Sequence, residues 1–98
     1  MEKRTILITG TTHGLGKQMS YLLAKNNHLI LLGRNSTILQ KQQIGLIELS
    51  DNQSIDYVVC DYIDKASVYN ASTYIHNKYQ VIDVIIHNAG ALLKPDGS

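Results

Sequence analysis

The sequence predicts an α/β protein built on a parallel sheet, and three observations carry that prediction. Strand-like apolar runs at 4–9, 28–32, 55–60 and 81–87 alternate with segments of helical spacing at 14–26, 36–50 and 65–79. One run, His28–Leu32, is almost continuously apolar, as expected of a strand covered on both faces. A glycine-rich turn joins the first strand to the first helix. The order βαβαβαβ implies parallel strands joined by right-handed crossovers.

Each element has its own signal. Strand one carries Ile6, Leu7 and Ile8. Helix one places Leu15, Met19, Leu22 and Leu23 at helical spacing, and Asn26 and Asn27 stop it. Gly33, Arg34 and Asn35 form a turn after strand two, with Asn35 or Ser36 capping helix two despite Gly45 in its middle. A polar connection at 50–53 leads to strand three. Asp64 caps helix three, whose Val68, Ser72, Ile75 and Tyr79 are expected on one face. Residues 91–98 read as loop.

The 98 residues make one small domain of ordinary apolar content, with a formal net charge of +1. That balance and the lack of a basic stripe exclude a nucleic-acid surface. Cys60 is the single cysteine, so no internal disulfide forms, and its expected role is a small buried apolar side chain. No run is long enough for a signal-peptide core or a membrane span. The expected localisation is cytoplasmic, with no membrane partner.

The turn Thr9-Gly10-Thr11-Thr12-His13-Gly14-Leu15-Gly16 carries the first chemistry. Gly10 permits a sharp exit from the strand. Gly14 lets a ligand approach the backbone, and Gly16 lets the helix pack closely on the sheet. The first N–H groups and the dipole of the helix favour an anion there, and a dinucleotide pyrophosphate is the expected one. The glycines read G-x-x-x-G-x-G, and Asn88-Ala89-Gly90 follows strand four. With these two motifs the chain resembles the N-terminal cofactor-binding portion of the short-chain dehydrogenase/reductase family. The resemblance implies a Rossmann-like three-layer sheet, here incomplete, with strand order 3-2-1-4. The glycine turn and Asn88-Ala89-Gly90 would then flank one crevice at the switch point between strands one and four.

The resemblance also implies the roles of particular residues. Gly10, Thr12, His13, Gly14, Leu15 and Gly16 form the expected pyrophosphate turn. At the end of strand two, where an acid would hold the adenosine ribose of NAD, the chain has Gly33 followed by Arg34. A guanidinium suits a 2′-phosphate, and His13 adds a basic group, so NADP(H) is expected in preference to NAD(H). The competing reading makes Arg34 a solvated turn residue and His13 a loop filler. Asp61 is expected to meet the adenine amino group and the Tyr62 N–H to read the ring, unless Asp61 braces the following turn. Asn88 would brace the last turn, with Ala89 and Gly90 leaving room for a ribose. His87 stands where the family usually has Asn, and neither a catalytic nor a metal role is expected of it. Asp83, inside an apolar run, is read as structural.

The family's serine and Tyr-x-x-x-Lys pair lie well downstream of Asn-Ala-Gly, whereas this sequence ends eight residues past Gly90. Two pairs have the tyrosine–lysine spacing, Tyr21/Lys25 and Tyr74/Lys78, and both precede the motif. Neither is expected to be catalytic. The expectation is therefore that residues 1–98 are a cofactor-binding portion whose catalytic part is absent, inactive alone toward a carbonyl or alcohol. A non-catalytic NADP(H)-binding or partner-binding module, and an inactive truncated product, stay open as alternatives. Helices one and two should cover one face of the sheet and helix three part of the other. The free edge of strand 81–87 should favour self-association or a complementary chain.

Overall fold

The computed structural model describes residues 4–10 and 14–87, with backbone alone at 14 and 15. Its elements are β1 (Thr5–Thr9), α1 (Gly14–Leu23), β2 (His28–Gly33), α2 (Ser36–Ser50), β3 (Ile55–Val59), α3 (Lys65–Lys78) and β4 (Val84–His87). The strands form one sheet in the order β3-β2-β1-β4, and every pairing is parallel. The architecture is the expected Rossmann-like one.

Side-chain alternation along the strands divides the core into two layers. Ile6 and Ile8 of β1, Leu29 and Leu31 of β2, and Ile55 of β3 face α1 and α2, where Ala24, Leu39 and Leu46 cover them. Ile30, Val58 and Cys60 face the other way, against Ala71, Ile75 and Tyr79 at α3. The thiol of Cys60 is buried, as its composition role required. The second layer is only partly covered. Leu7 and Leu32 are half-buried, and Ile85 on β4 is 66% exposed.

Local boundaries depart from the sequence reading for identifiable reasons. α1 ends at Leu23 rather than residue 26, because the Asn27 amide donates to the Leu23 carbonyl and closes the helix. Asn35 is the cap of α2, accepting from the Ile38 N–H, and Asp51 ends that helix with φ 53°. Asp64 caps α3 as expected. The buried stripe of α3 is Ala71, Ile75 and Tyr79, while Val68 and Ser72 are exposed, so the expected face was rotated. β4 starts at Val84 rather than 81 because Asp83 is spent on the strand's entry. The Asp83 N–H donates to the Thr5 carbonyl and its carboxylate accepts the Thr5 N–H at 2.7 Å, a structural role.

Two polar hubs tie the layers together. Asn52 is buried in the connection between α2 and β3. Its amide donates to the carbonyls of Ala24 and Asn27, and its oxygen accepts the Ser54 N–H. The second hub is Asp56 on the edge strand β3. Its Oδ2 accepts from the Tyr79 hydroxyl at 2.6 Å, the Lys78 ammonium at 2.9 Å and the Tyr74 hydroxyl at 3.3 Å. Its Oδ1 accepts from the Tyr57 N–H. This cluster clamps the C-terminal turn of α3 onto the sheet. Burial pushes the Asp56 carboxyl up, but the bonds from Tyr79, Lys78 and Tyr57 outweigh it and hold the group below its usual 3.8. Burial, and then the bond to Asp56, push the Tyr79 phenol above 10.0.

Three variants test this packing. Asp56→Ala leaves the buried Tyr79 hydroxyl without its acceptor and should cost about 2 kcal/mol in a denaturant titration. Because the folded pKa of Asp56 is depressed, its contribution is present above pH 3.8 and is lost as the pH falls through the folded value. Asp56→Asn should therefore flatten the acid limb of the stability–pH profile. Gly45 sits mid-helix in α2, and a Cβ there meets nothing within 4 Å. Gly45→Ala should raise stability by ~0.5–1 kcal/mol in the same measurement.

Candidate functional site

Parallel registry brings the C-terminal ends of the strands level. Thr9, the last residue of β1, pairs with Leu32 on one side and His87 on the other. The chain leaves β1 through Gly10, whose φ of 68° lies in the region that only glycine enters without strain. α1 then starts at Gly14, and Gly16 is buried at its first turn. A helix N-terminus following a strand in this way offers unpaired N–H groups and a positive dipole end. Leu15 lies in the same first turn.

The end of β2 is shaped by packing. A Cβ at Gly33 would meet the Leu39 side chain at 3.3 Å, so a side chain there requires Leu39 to yield. The next side chain, Arg34, is exposed at that strand end and is the first one available to a ligand there. No acid occupies the position, in agreement with the sequence reading.

After β3, the Asp61 carboxylate accepts the Ile63 N–H at 3.1 Å, while its own N–H donates to the Ser67 hydroxyl. Asp61 therefore braces the turn into α3 and remains exposed at the strand end. Tyr62 follows it. Its side chain crosses β2, and its hydroxyl donates to the Leu32 carbonyl at 3.4 Å. Its ring stands edge-on to His87, with centroids 6.4 Å apart. Burial and then Cys60 push the phenol above 10.0, and a hydrogen bond with Thr9 pulls against them. The Thr9 hydroxyl also lies 3.1 Å from His87 Nδ1, in hydrogen-bond contact.

The structure thus brings Gly10, Gly14, Leu15, Gly16, Arg34, Asp61 and Tyr62 to the C-terminal strand ends. Thr12, His13, Asn88, Ala89 and Gly90 lie outside the described residues. Thr9 headed the glycine turn in the sequence without a role of its own, and Tyr62 was read only for its N–H. Thr9 carries one usable signal: it shares the parity of Leu7 on β1, so it must face the same layer as His87. Nothing in the loop sequence told which way Tyr62 turns.

The two tyrosine–lysine spacings lie elsewhere. Lys78 donates to Tyr74 at 3.1 Å, but both belong to the Asp56 clamp at the end of α3. α3 runs back along the sheet, so this end lies near the starts of the strands. There Lys78 and Tyr79 border an open cavity of about 610 Å³ with Arg4, Thr5 and Asp83. Tyr74 and Asp56 hold the Lys78 ammonium above its usual range, so the lysine is spent on the clamp. Tyr21 and Lys25 line a cavity of about 270 Å³ between α1 and α2, also away from the strand ends. Among the described residues no group of His, Cys, Asp or Glu could hold a metal ion, and no helix is long and apolar enough to cross a membrane.

Comparison with known proteins agrees with this geometry. The family model described as short chain dehydrogenase matches residues 4–97. An NADPH-dependent pterin aldehyde reductase of Arabidopsis thaliana is 34% identical over 91 residues, covering 93% of this chain and 37% of that protein. The 17-beta-hydroxysteroid dehydrogenase 13 of Mus musculus is 25% identical over 99 residues, covering 95% of this chain and 30% of the relative. A short chain dehydrogenase of Shigella flexneri, solved in complex with NADP, superposes with a TM-score of 0.78 at 25% identity, over 90% of this chain and 38% of its own. The chain thus spans about a third of the length of the curated relatives it matches. From the match over nearly its whole length, the strand order and the glycine turn, the chain belongs to the short chain dehydrogenase family.

Proposed function

We propose that residues 1–98 form the N-terminal cofactor-binding portion of an oxidoreductase and hold NADP(H) across the C-terminal ends of the strands. One observation carries the reading: Gly10, Arg34, Asp61 and His87 end or follow four different strands and are brought to one edge of the sheet. The glycine turn and the start of α1 would take the pyrophosphate, with Thr12, His13, Gly14, Leu15 and Gly16 around it. Arg34 would bind the 2′-phosphate, and the absence of an acid at Gly33 removes repulsion. Asp61 and the Tyr62 N–H would meet the adenine. Asn88, Ala89 and Gly90 would wall the ribose on the β4 side. The names of the pterin aldehyde reductase and of the NADP complex support this cofactor class.

When bound, the nicotinamide supplies or accepts a hydride against a carbonyl or alcohol. This chain's residues would bind and orient the cofactor, and the acid–base group would come from outside them, since Tyr21 and Tyr74 are away from the crevice. A second reading, a non-catalytic partner-binding module, is favoured by β4: among the described residues no strand pairs with its outer edge. Ile85 there is exposed, so a strand from elsewhere in the protein or from another chain would gain both backbone bonds and apolar burial.

Arg34→Ala should raise the NADPH dissociation constant about tenfold, from the loss of a charge-assisted contact, and leave NADH nearly unchanged. Calorimetric titration of both cofactors checks this, and equal affinity of the unmutated chain for the two would overturn the preference. For the β4 edge, sedimentation should show concentration-dependent association that Ile85→Lys reduces.

A further inference from the structure

Tyr62 does more at the strand ends than offer its N–H. Its loop follows β3, yet its hydroxyl reaches across β2 to the Leu32 carbonyl and meets Thr9 at the end of β1. Its ring stands nearly perpendicular to that of His87 on β4. The phenol therefore spans the α3-side ends of three strands, β2, β1 and β4. A dinucleotide lying as proposed would run its adenosine half from the turn at Gly10, past Arg34, to Asp61. That path crosses the ends of β1 and β2, where the phenol lies, and both groups cannot fill the same volume.

We propose that the Tyr62 side chain is a gate for the adenosine half of the cofactor, closed in this structure over Thr9, Leu32 and His87 and turned outward when the nucleotide binds. The inference rests on the reading of a dinucleotide across the strand ends. The latch is weak enough to open. The bond to Leu32 is long at 3.4 Å, the ring contact with His87 is at 6.4 Å, and Tyr62 is 42% exposed. Opening needs only rotation of one side chain on a loop whose backbone is already fixed by the Asp61 turn. A closed gate lowers apparent affinity by the fraction of molecules that are open, so its removal must tighten binding.

The test uses the full chain, with adenosine 2′,5′-bisphosphate as the probe and calorimetry as the readout. Tyr62→Ala, which keeps the N–H, should bind the probe ~3–10-fold more tightly than the unmutated chain, and Tyr62→Phe should fall between them. In the unmutated chain, NMR should show ring-to-ring contacts between Tyr62 and His87 that disappear as the probe saturates. Weaker binding by Tyr62→Ala would make the ring a stacking wall and overturn the gate. Unchanged affinity, or ring contacts that persist at saturation, would overturn it as well. Binding by Tyr62→Ala alone would support it strongly. Failure of every form to bind the probe would remove the dinucleotide reading, and the gate with it.

Discussion

Parallel pairing of β1 between β2 and β4 is the constraint on which the rest depends. It sets Thr9 level with both Leu32 and His87, so three strands finish at one height. The start of α1, the Arg34 turn and the Asp61 loop all inherit their positions from that level edge. The same pairing sends odd and even residues of β1 to opposite layers. Ile6 and Ile8 bury under α1 and α2, while Leu7 and Thr9 face the α3 side. Thr9 is thereby buried with a polar hydroxyl, and His87 and Tyr62 are the groups that answer it.

Much of the fold was legible because alternation of apolar runs and helical segments reports topology through chain geometry alone. A parallel sheet needs crossovers long enough for a helix, and the segments between runs were of that length. Element ends were less legible because they depend on contacts between distant residues. The stop of α1 is made by the Asn27 side chain, and β4 loses its first residues to the Asp83–Thr5 pair. The face of α3 was misplaced by choosing Val68 and Ser72 over Ala71. A small alanine is buried there among Ile30, Val58 and Cys60, which spacing of large apolar residues does not reveal. Asn52 read as part of a polar connection, although its amide ties the α1–β2 connection to Ser54 through three backbone groups.

Of the candidate site, the part fixed by backbone conformation could be read. The positive φ of Gly10 is a requirement that residue type expresses directly. The absence of an acid after β2 was also visible, and Leu39 supplies a packing reason for the glycine at 33. What could not be read was the direction of a loop side chain. Tyr62 has no periodicity to constrain it, and only the positions of Leu32, Thr9 and His87 define where its ring rests. Asp61 braces the turn by accepting the Ile63 N–H at Oδ1, and its side chain stays exposed at the strand end.

The opposite ends of the sheet do different work with similar residue types. At the strand starts, Tyr74, Lys78 and Tyr79 converge on Asp56, and every donor is directed at the carboxylate. Burial and then the bond to Asp56 raise the Tyr79 phenol, while Tyr74 and then Asp56 raise the Lys78 ammonium. At the strand ends, among the described residues, Tyr62 meets a carbonyl, a hydroxyl and an imidazole ring rather than a carboxylate. The bond to the Leu32 carbonyl is long at 3.4 Å, and it is the contact that the proposed gate would exchange for a ligand. Tyrosine–lysine spacing therefore carries no chemistry by itself. The carboxylate that collects the donors at one end makes a clamp, whereas at the other end the Tyr62 phenol is held by a backbone carbonyl and the Thr9 hydroxyl.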